Sequence, residues 1–122
     1  MADFPWHKSY PDYIPHTVDV KQYSSIVDVY DQTIAKYSTN VAYTNMDKEI
    51  SFDELNNHVE NFASYIQNHT TLRKGDRIAI QLPNVLQFPI ALFGSLKAGL
   101  VIVTTNPLYT PDEMEHQFKD LG

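Results

Sequence analysis

One stretch of this chain restricts what it can fold into more than any other. Between Asp76 and Gln117 the sequence reads DRIAIQL, PNVLQFPIALFGSLKAG, LVIVTT and NPLYTPDEMEHQ. Arg77 to Leu82 is a short run rich in β-branched residues, and Leu100 to Thr104 is continuously apolar, the pattern of strands buried on both faces. Between them, Asn84 to Ala98 carries apolar residues at helical spacing. The combination predicts a strand, a crossover helix and a second, parallel strand, with a right-handed connection. Pro89 is compatible with the first turn of that helix if Asn84 or Val85 caps it. Gly94 is expected to let the helix approach the sheet closely, and Gly99 to end it in the left-handed region.

The chain ahead of this unit supplies covering elements. Ser25 can cap a helix whose third residue is Asp28, with Ile26, Tyr30, Ile34 and Tyr37 sharing one face. Val41 to Thr44 and Glu49 to Phe52 read as two strands joined by the turn Asn45 to Lys48, a small hairpin. Ser51-x-x-Glu54 is a capping-box pattern, followed by Leu55, Val59, Phe62, Ala63 and Ile66 at helical spacing. Arg73 to Asp76 then turns the chain into the first strand of the βαβ unit. Ahead of all this, Phe4 to Pro15 holds three prolines and four aromatic residues. Since proline fixes φ and lacks a backbone donor, an extended arm is expected, packed on its own domain.

Behind the second strand, Asn106-Pro107-Leu108-Tyr109 reads as a loop at the carboxyl end of a parallel strand, the edge where open α/β sheets bind ligands. Thr110, Pro111 and Glu113 start a last helix with a capping threonine, proline at the first helical position and a completed box. Met114, Phe118 and Leu121 are expected to form its buried stripe. The fold class is therefore α/β, a partial three-layer sandwich around a largely parallel sheet, with a small N-terminal hairpin and an extended aromatic and proline-rich arm.

Composition narrows function by exclusion. Nine Lys and Arg against fifteen Asp and Glu leave a formal charge of -6, and no basic stripe exists, so a nucleic-acid partner is not expected. With no cysteine there is neither a disulfide framework nor thiolate chemistry. No segment has the apolar core of a signal peptide, and the longest apolar tract, Phe88 to Val103, is too short and too interrupted to span a bilayer. Gly94 and Gly99 have the spacing of a phosphate-loop pair, but Leu100-Val101 stands where Lys and Ser or Thr are needed. Glu113-x-x-His116 has the spacing of a di-iron helix pair without the further ligands such a site requires. His7, His16, His58 and His69 lack ligand spacing and are expected at the surface. No catalytic, cofactor-binding or metal-ligating residue is assigned.

GDRIAIQLPN, ALFGSLKAG and above all TNPLYTPDEMEHQ resemble the N-terminal region of AMP-forming long-chain fatty-acid CoA ligases, members of the adenylate-forming superfamily. The likeness runs from about Tyr23 to the end, through SSIVDVYDQTIAKY, ISFDELNNHVENFASYIQ and LRKGDRIAI. It implies two regions: residues 1–22 as the arm, and residues 23–122 as the first lobe of a ligase's large N-terminal domain, truncated here. It also implies a full-length enzyme that makes acyl-CoA from a fatty acid, ATP with Mg, and coenzyme A through an acyl-adenylate. Such ligases carry a Ser/Thr/Gly-rich phosphate loop, an acidic adenine and ribose site and a late lysine. None occurs in this chain, whose glycines at 75, 94, 99 and 122 never cluster. The segment alone is expected to be inactive and to bind no cofactor.

Four residues, Asn106, Pro107, Tyr109 and Thr110, form the one loop whose position suggests closeness to substrate. Expected partners are the fatty acid, in the whole enzyme, and the remainder of the ligase. With neither a signal-peptide core nor a bilayer-spanning tract, the protein is expected in the cytoplasm, with at most peripheral contact at the inner face of the cell membrane. An uncovered sheet edge and apolar face predict self-association of the isolated chain. The alternatives are a non-catalytic interaction or oligomerisation module, a small nucleotide-binding or flavodoxin-like domain, and a ligase for a different carboxylate.

Overall fold

The computed structural model describes residues 4–122. Helix α1 spans Ile26–Tyr37, hairpin strands β1 and β2 span Val41–Asn45 and Lys48–Ser51, and α2 spans Phe52–His69. The βαβ unit follows as β3 (Arg77–Ile80), α3 (Gln87–Lys97) and β4 (Val101–Thr104), and α4 (Pro111–Asp120) comes last. β3 and β4 pair in parallel, Arg77 opposite Val101 and Ile80 opposite Thr104. β1 and β2 form a separate antiparallel pair. The expected mixed architecture is present, with its strands divided between two small sheets.

Each element begins where local chemistry allows. The Ser25 hydroxyl accepts the Asp28 amide at 3.1 Å, starting α1. Ser51 both ends β2 and caps α2: its hydroxyl accepts the Glu54 amide, and its own amide donates to Glu54 Oε2 at 2.9 Å. Phe52 is therefore the first residue of a helix and not the last of a strand. Its amide and that of Asp53 donate to Asn40 and Ser38 carbonyls, satisfying first-turn donors that a helix cannot satisfy itself. Met46 and Asp47, at φ 49° and 61°, form the two-residue turn whose twist suits a hairpin.

α2 is the keystone. Leu55, Val59, Ala63 and Ile66 are buried along one face, and Leu55 and Val59 join Tyr30 and Ile50 in the main core. Ile34, Ala42, Phe52, Leu86, Ile90 and Phe93 close around that cluster. The Tyr30 and Phe93 rings stack at 4.4 Å, and the Tyr30 hydroxyl donates to Asn56 Oδ1 at 3.2 Å. On α1 the inward face is narrower than the sequence suggests. Tyr30 is buried and Ile34 half-buried, but Ile26 and Tyr37 are exposed.

Several expectations need correction. α3 starts at Gln87 with no side-chain cap, because the Asn84 to Leu86 segment is a turn of its own. Val85 donates to the Pro83 carbonyl there, Phe88 donates to that of Val85, and the Asn84 carbonyl accepts Asn45 Nδ2 at 3.2 Å from the hairpin. Gly94 does allow a close approach, but to α2: a β-carbon there would meet Phe62 and the Val59 carbonyl. Gly99 is left-handed as expected, with φ 84°, and its carbonyl accepts the amide of Gly75, also left-handed, at 2.9 Å.

α4 has no buried residue. Phe118 is 43% exposed and Met114 and Leu121 half-buried, so the expected stripe lies over the outer face of β3 and β4 without being sealed. Phe118 and Leu121 border a cavity of about 230 Å³ with Ala79 and Val103. For the same reason β4 is not buried on both faces, and Val101 is 48% exposed.

The arm is not extended. Residues Pro5–Ser9 form a 3-10 turn, which the fixed φ of Pro5 at its start favours. The Phe4 and Trp6 rings stack at 4.5 Å, and His7 stacks on His16 at 4.0 Å. His7 is thereby buried, against the expectation that it lies at the surface, while His16, His58 and His69 are exposed. No other described helix or strand lies against the 3-10 turn. Residues 1–3 of the expected arm lie outside the described residues. Among the described residues, no helix is long and apolar enough to cross a membrane.

Candidate functional site

The Asn106 to Thr110 loop leaves the carboxyl end of β4 as expected. One more ladder bond, from the Thr105 amide to the Ile80 carbonyl at 3.0 Å, carries the pairing past the last strand residue. Thr105 itself is buried. From Asn106 onward every residue through Thr110 is exposed, and the chain stays ordered by bonding to itself. Asn106 Oδ1 accepts the Leu108 amide at 2.9 Å, and its carbonyl accepts the Tyr109 amide at 3.0 Å. Side-chain mimicry of a backbone turn is the service asparagine performs best.

Thr110 then closes the loop onto α4. Its amide donates to Glu113 Oε2 at 2.7 Å, and its hydroxyl donates to the same oxygen at 3.0 Å. These donors, the backbone one first, hold the Glu113 carboxyl below its ordinary range. Pro107 lies between the turn's anchor residue and its tip, and Leu108, at the tip, is 87% exposed. Tyr109 faces an open depression that Asp112, Glu113, His116 and Gln117 also line.

The structure brings Asn106, Pro107, Tyr109 and Thr110 together in one compact turn. Three residues that sequence reasoning missed support it. Gln81 Nε2 donates to the Asn106 carbonyl at 3.2 Å, and Gln117 Nε2 donates to the Thr104 carbonyl at 3.2 Å. Thr105 lies between those two carbonyls. Gln117 ends the EMEHQ motif and Gln81 follows a strand directly, so both positions carried a signal.

The arrangement is an exposed turn held by backbone and side-chain amide hydrogen bonds. Glu113 and His116 border one depression, yet no group of three His, Cys, Asp or Glu among the described residues could hold a metal ion. The glycines do not form a phosphate cradle. Gly75 and Gly99 serve turns beside the strands, and Gly94 serves helix packing.

A family model described as AMP-binding enzyme matches residues 30–122. The chain is 44% identical over 117 residues to the long-chain-fatty-acid CoA ligase of Escherichia coli O157:H7, covering 96% of this chain and 21% of that protein. The ligase of the same name from Bacillus subtilis (strain 168) is 34% identical over 116 residues, 95% of this chain and 20% of its own length. This chain thus spans only about a fifth of the curated relatives it matches. Among solved structures, the Klebsiella oxytoca NpsA N-terminal subdomain in complex with anthranilyl-AMSN superposes with a TM-score of 0.77. It is 24% identical, with 85% of this chain and 27% of that one covered, a likeness of fold. A family match that begins within α1 and runs through the βαβ unit and α4 places these elements in one known architecture: the chain belongs to the AMP-binding enzyme family.

Proposed function

We propose that this segment works inside a long-chain fatty-acid CoA ligase, which activates a fatty-acid carboxylate with ATP as an acyl-adenylate and passes the acyl group to coenzyme A. The observation that carries this reading is the 44% identity over 117 residues with the Escherichia coli ligase. The segment's own part is architectural. It supplies the βαβ unit, the covering helices α1 to α3 and the ordered Asn106 to Thr110 loop, which forms a wall near the cleft. ATP, Mg and coenzyme A are held by the rest of the enzyme. The enzyme is placed in the cytoplasm, and peripheral membrane contact fits the arm, where Trp6 and Tyr13 are 55% and 82% exposed, since such rings favour a membrane interface.

A chimera tests this. The matching segment of the Escherichia coli ligase is replaced by residues 4–122 of this chain, and acyl-CoA formation is followed with a long-chain fatty acid, ATP and Mg. The expected result is a folded, active ligase. A folded chimera that releases no pyrophosphate with any fatty acid overturns the reading. The isolated segment is expected to show no pyrophosphate exchange.

A further inference from the structure

We infer that Gln81 and Gln117 are positioning residues that clamp the Asn106 to Thr110 loop in its working shape, an inference that rests on the ligase reading above. The two backbone carbonyls on either side of Thr105 are each taken by a glutamine amide from a different element. Gln81, just past β3, holds Asn106 at 3.2 Å, and Gln117, from α4, holds Thr104 at 3.2 Å. Both bonds lie where the ladder runs out, because its last bond is the one from Thr105 to Ile80. Strand pairing cannot fix the loop beyond that point, and the glutamines continue the work.

The two contacts act on one structure. The Asn106 carbonyl held by Gln81 also accepts the Tyr109 amide, and the Asn106 side chain accepts that of Leu108. Gln117 belongs to the helix that the loop begins, so its bond to Thr104 ties the loop's exit back to its entrance. With the Thr110 and Glu113 box between them, strand end, turn and helix start become one unit.

The polarity of the seam supports a positional role. Gln117 Oε1 and Thr105 Oγ1 are buried with no hydrogen-bond partner among the described residues, an arrangement that apolar side chains of similar size would avoid. What a glutamine offers here and a methionine does not is the N–H that holds the carbonyl. A loop fixed before substrate arrives loses no orientation at the moment of reaction, and small misplacements of such walls reduce rate steeply.

The test uses the full-length enzyme with Gln81→Met and Gln117→Met, singly and together. Both variants are expected to keep the wild-type melting midpoint. Exchange of the Leu108 and Tyr109 amides is expected to rise at least ~10-fold, with β3 and β4 amides unchanged. In the double variant kcat/KM is expected to fall by ~10–100-fold, chiefly through kcat. Unchanged exchange at Leu108 and Tyr109 overturns the clamp, and faster exchange with unaltered kinetics overturns the positioning role. Where a methionine variant fails to fold, Gln→Glu removes the amide donor at nearly constant shape and yields the same two outcomes. A wild-type enzyme that makes no acyl-CoA refutes the ligase reading alone, because exchange still reports on the clamp.

Discussion

Gly94 lies so close to Phe62 that a β-carbon on it would stand 2.7 Å from the ring's Cδ1, 3.2 Å from Phe62 Cβ and 3.1 Å from the Val59 carbonyl oxygen. α3 and α2 therefore cross at a point where only a hydrogen fits. Gly94→Ala sets two effects against each other: a helix-propensity gain of about 1 kcal/mol and an overpacking cost of about 1–3 kcal/mol. Part of the crowding is backbone, and Phe62 Cβ cannot rotate away, so the cost is expected to win. Urea unfolding is expected to place Gly94→Ala about 1 kcal/mol below wild type. Combined with Phe62→Ala it is expected to cost less than the sum of the two changes. Strict additivity would show that the two residues do not meet.

The capping boxes make acid sensitivity predictable in sign. Glu54 and Glu113 both have carboxyl pKa values below their ordinary range, each chiefly because it accepts a backbone N–H, from Ser51 and Thr110 respectively. The native state thus binds fewer protons than the unfolded chain near their titration range. Their contribution is present above the unfolded value, about 4.3, and is lost as pH falls through the lower folded values. Glutamine at both positions keeps the accepting oxygen but cannot titrate. Melting midpoints between pH 6 and pH 3 are expected to fall less steeply in the Glu54→Gln, Glu113→Gln double variant. Parallel curves for variant and wild type would contradict this assignment.

Much of this architecture was legible because periodicity and capping are local signals. The α2 face from Leu55 to Ile66, the Ser51 and Thr110 caps and the left-handed Gly99 follow from residues within a few positions of one another, and the β3 and β4 pair from two local strand runs joined by one crossover helix. What was missed depends on distant partners. Gly94 looks the same in sequence whether it approaches a sheet or a helix, and Phe62 decides the matter. α3 loses its first turn because the Asn84 to Leu86 segment bonds within itself and to Asn45. The arm curls where Pro5 opens a 3-10 turn and where His7 stacks on His16, nine positions on, and that ring contact is one no propensity scale anticipates. The loop from Asn106 to Thr110 was visible from its proline and cap, whereas its glutamine supports lie 25 and 13 residues from the carbonyls they hold.

Lys97 gathers three elements. Its Nζ is 3.0 Å from Asp31 Oδ1 on α1 and 3.9 Å from Glu60 Oε1 on α2, and it lies 5.4 Å from the centre of the Tyr30 ring. The lysine side chain is only 20% exposed while both carboxylates are more than half exposed. Solvent screening keeps the ion pairs at about 0–1 kcal/mol, so the buried stem and the ring contact carry much of the effect. Lys97→Ala is expected to cost about 1–2 kcal/mol in chemical unfolding and Lys97→Met about half as much. A methionine variant as damaged as the alanine one would assign the effect to charge instead.

The outer face of the parallel pair argues for association of the isolated chain. β3 and β4 pair only with each other among the described residues, so each offers a free strand edge, and Val101 and Phe118 are 48% and 43% exposed beside the cavity under α4. An apolar face flanked by free edges favours contact with another copy when nothing else covers it. Sedimentation of residues 4–122 across a hundredfold dilution is expected to show a concentration-dependent shift, and Val101→Lys with Phe118→Lys is expected to abolish it at an unchanged melting midpoint. Removal of residues 4–15 serves as the control, because the arm also exposes Tyr13 and Ile14. If the shift disappears with the arm and survives the two lysines, association runs through the aromatic cluster. If the chain is monomeric throughout, α4 covers its sheet well enough in solution, and β4 tolerates one half-exposed face.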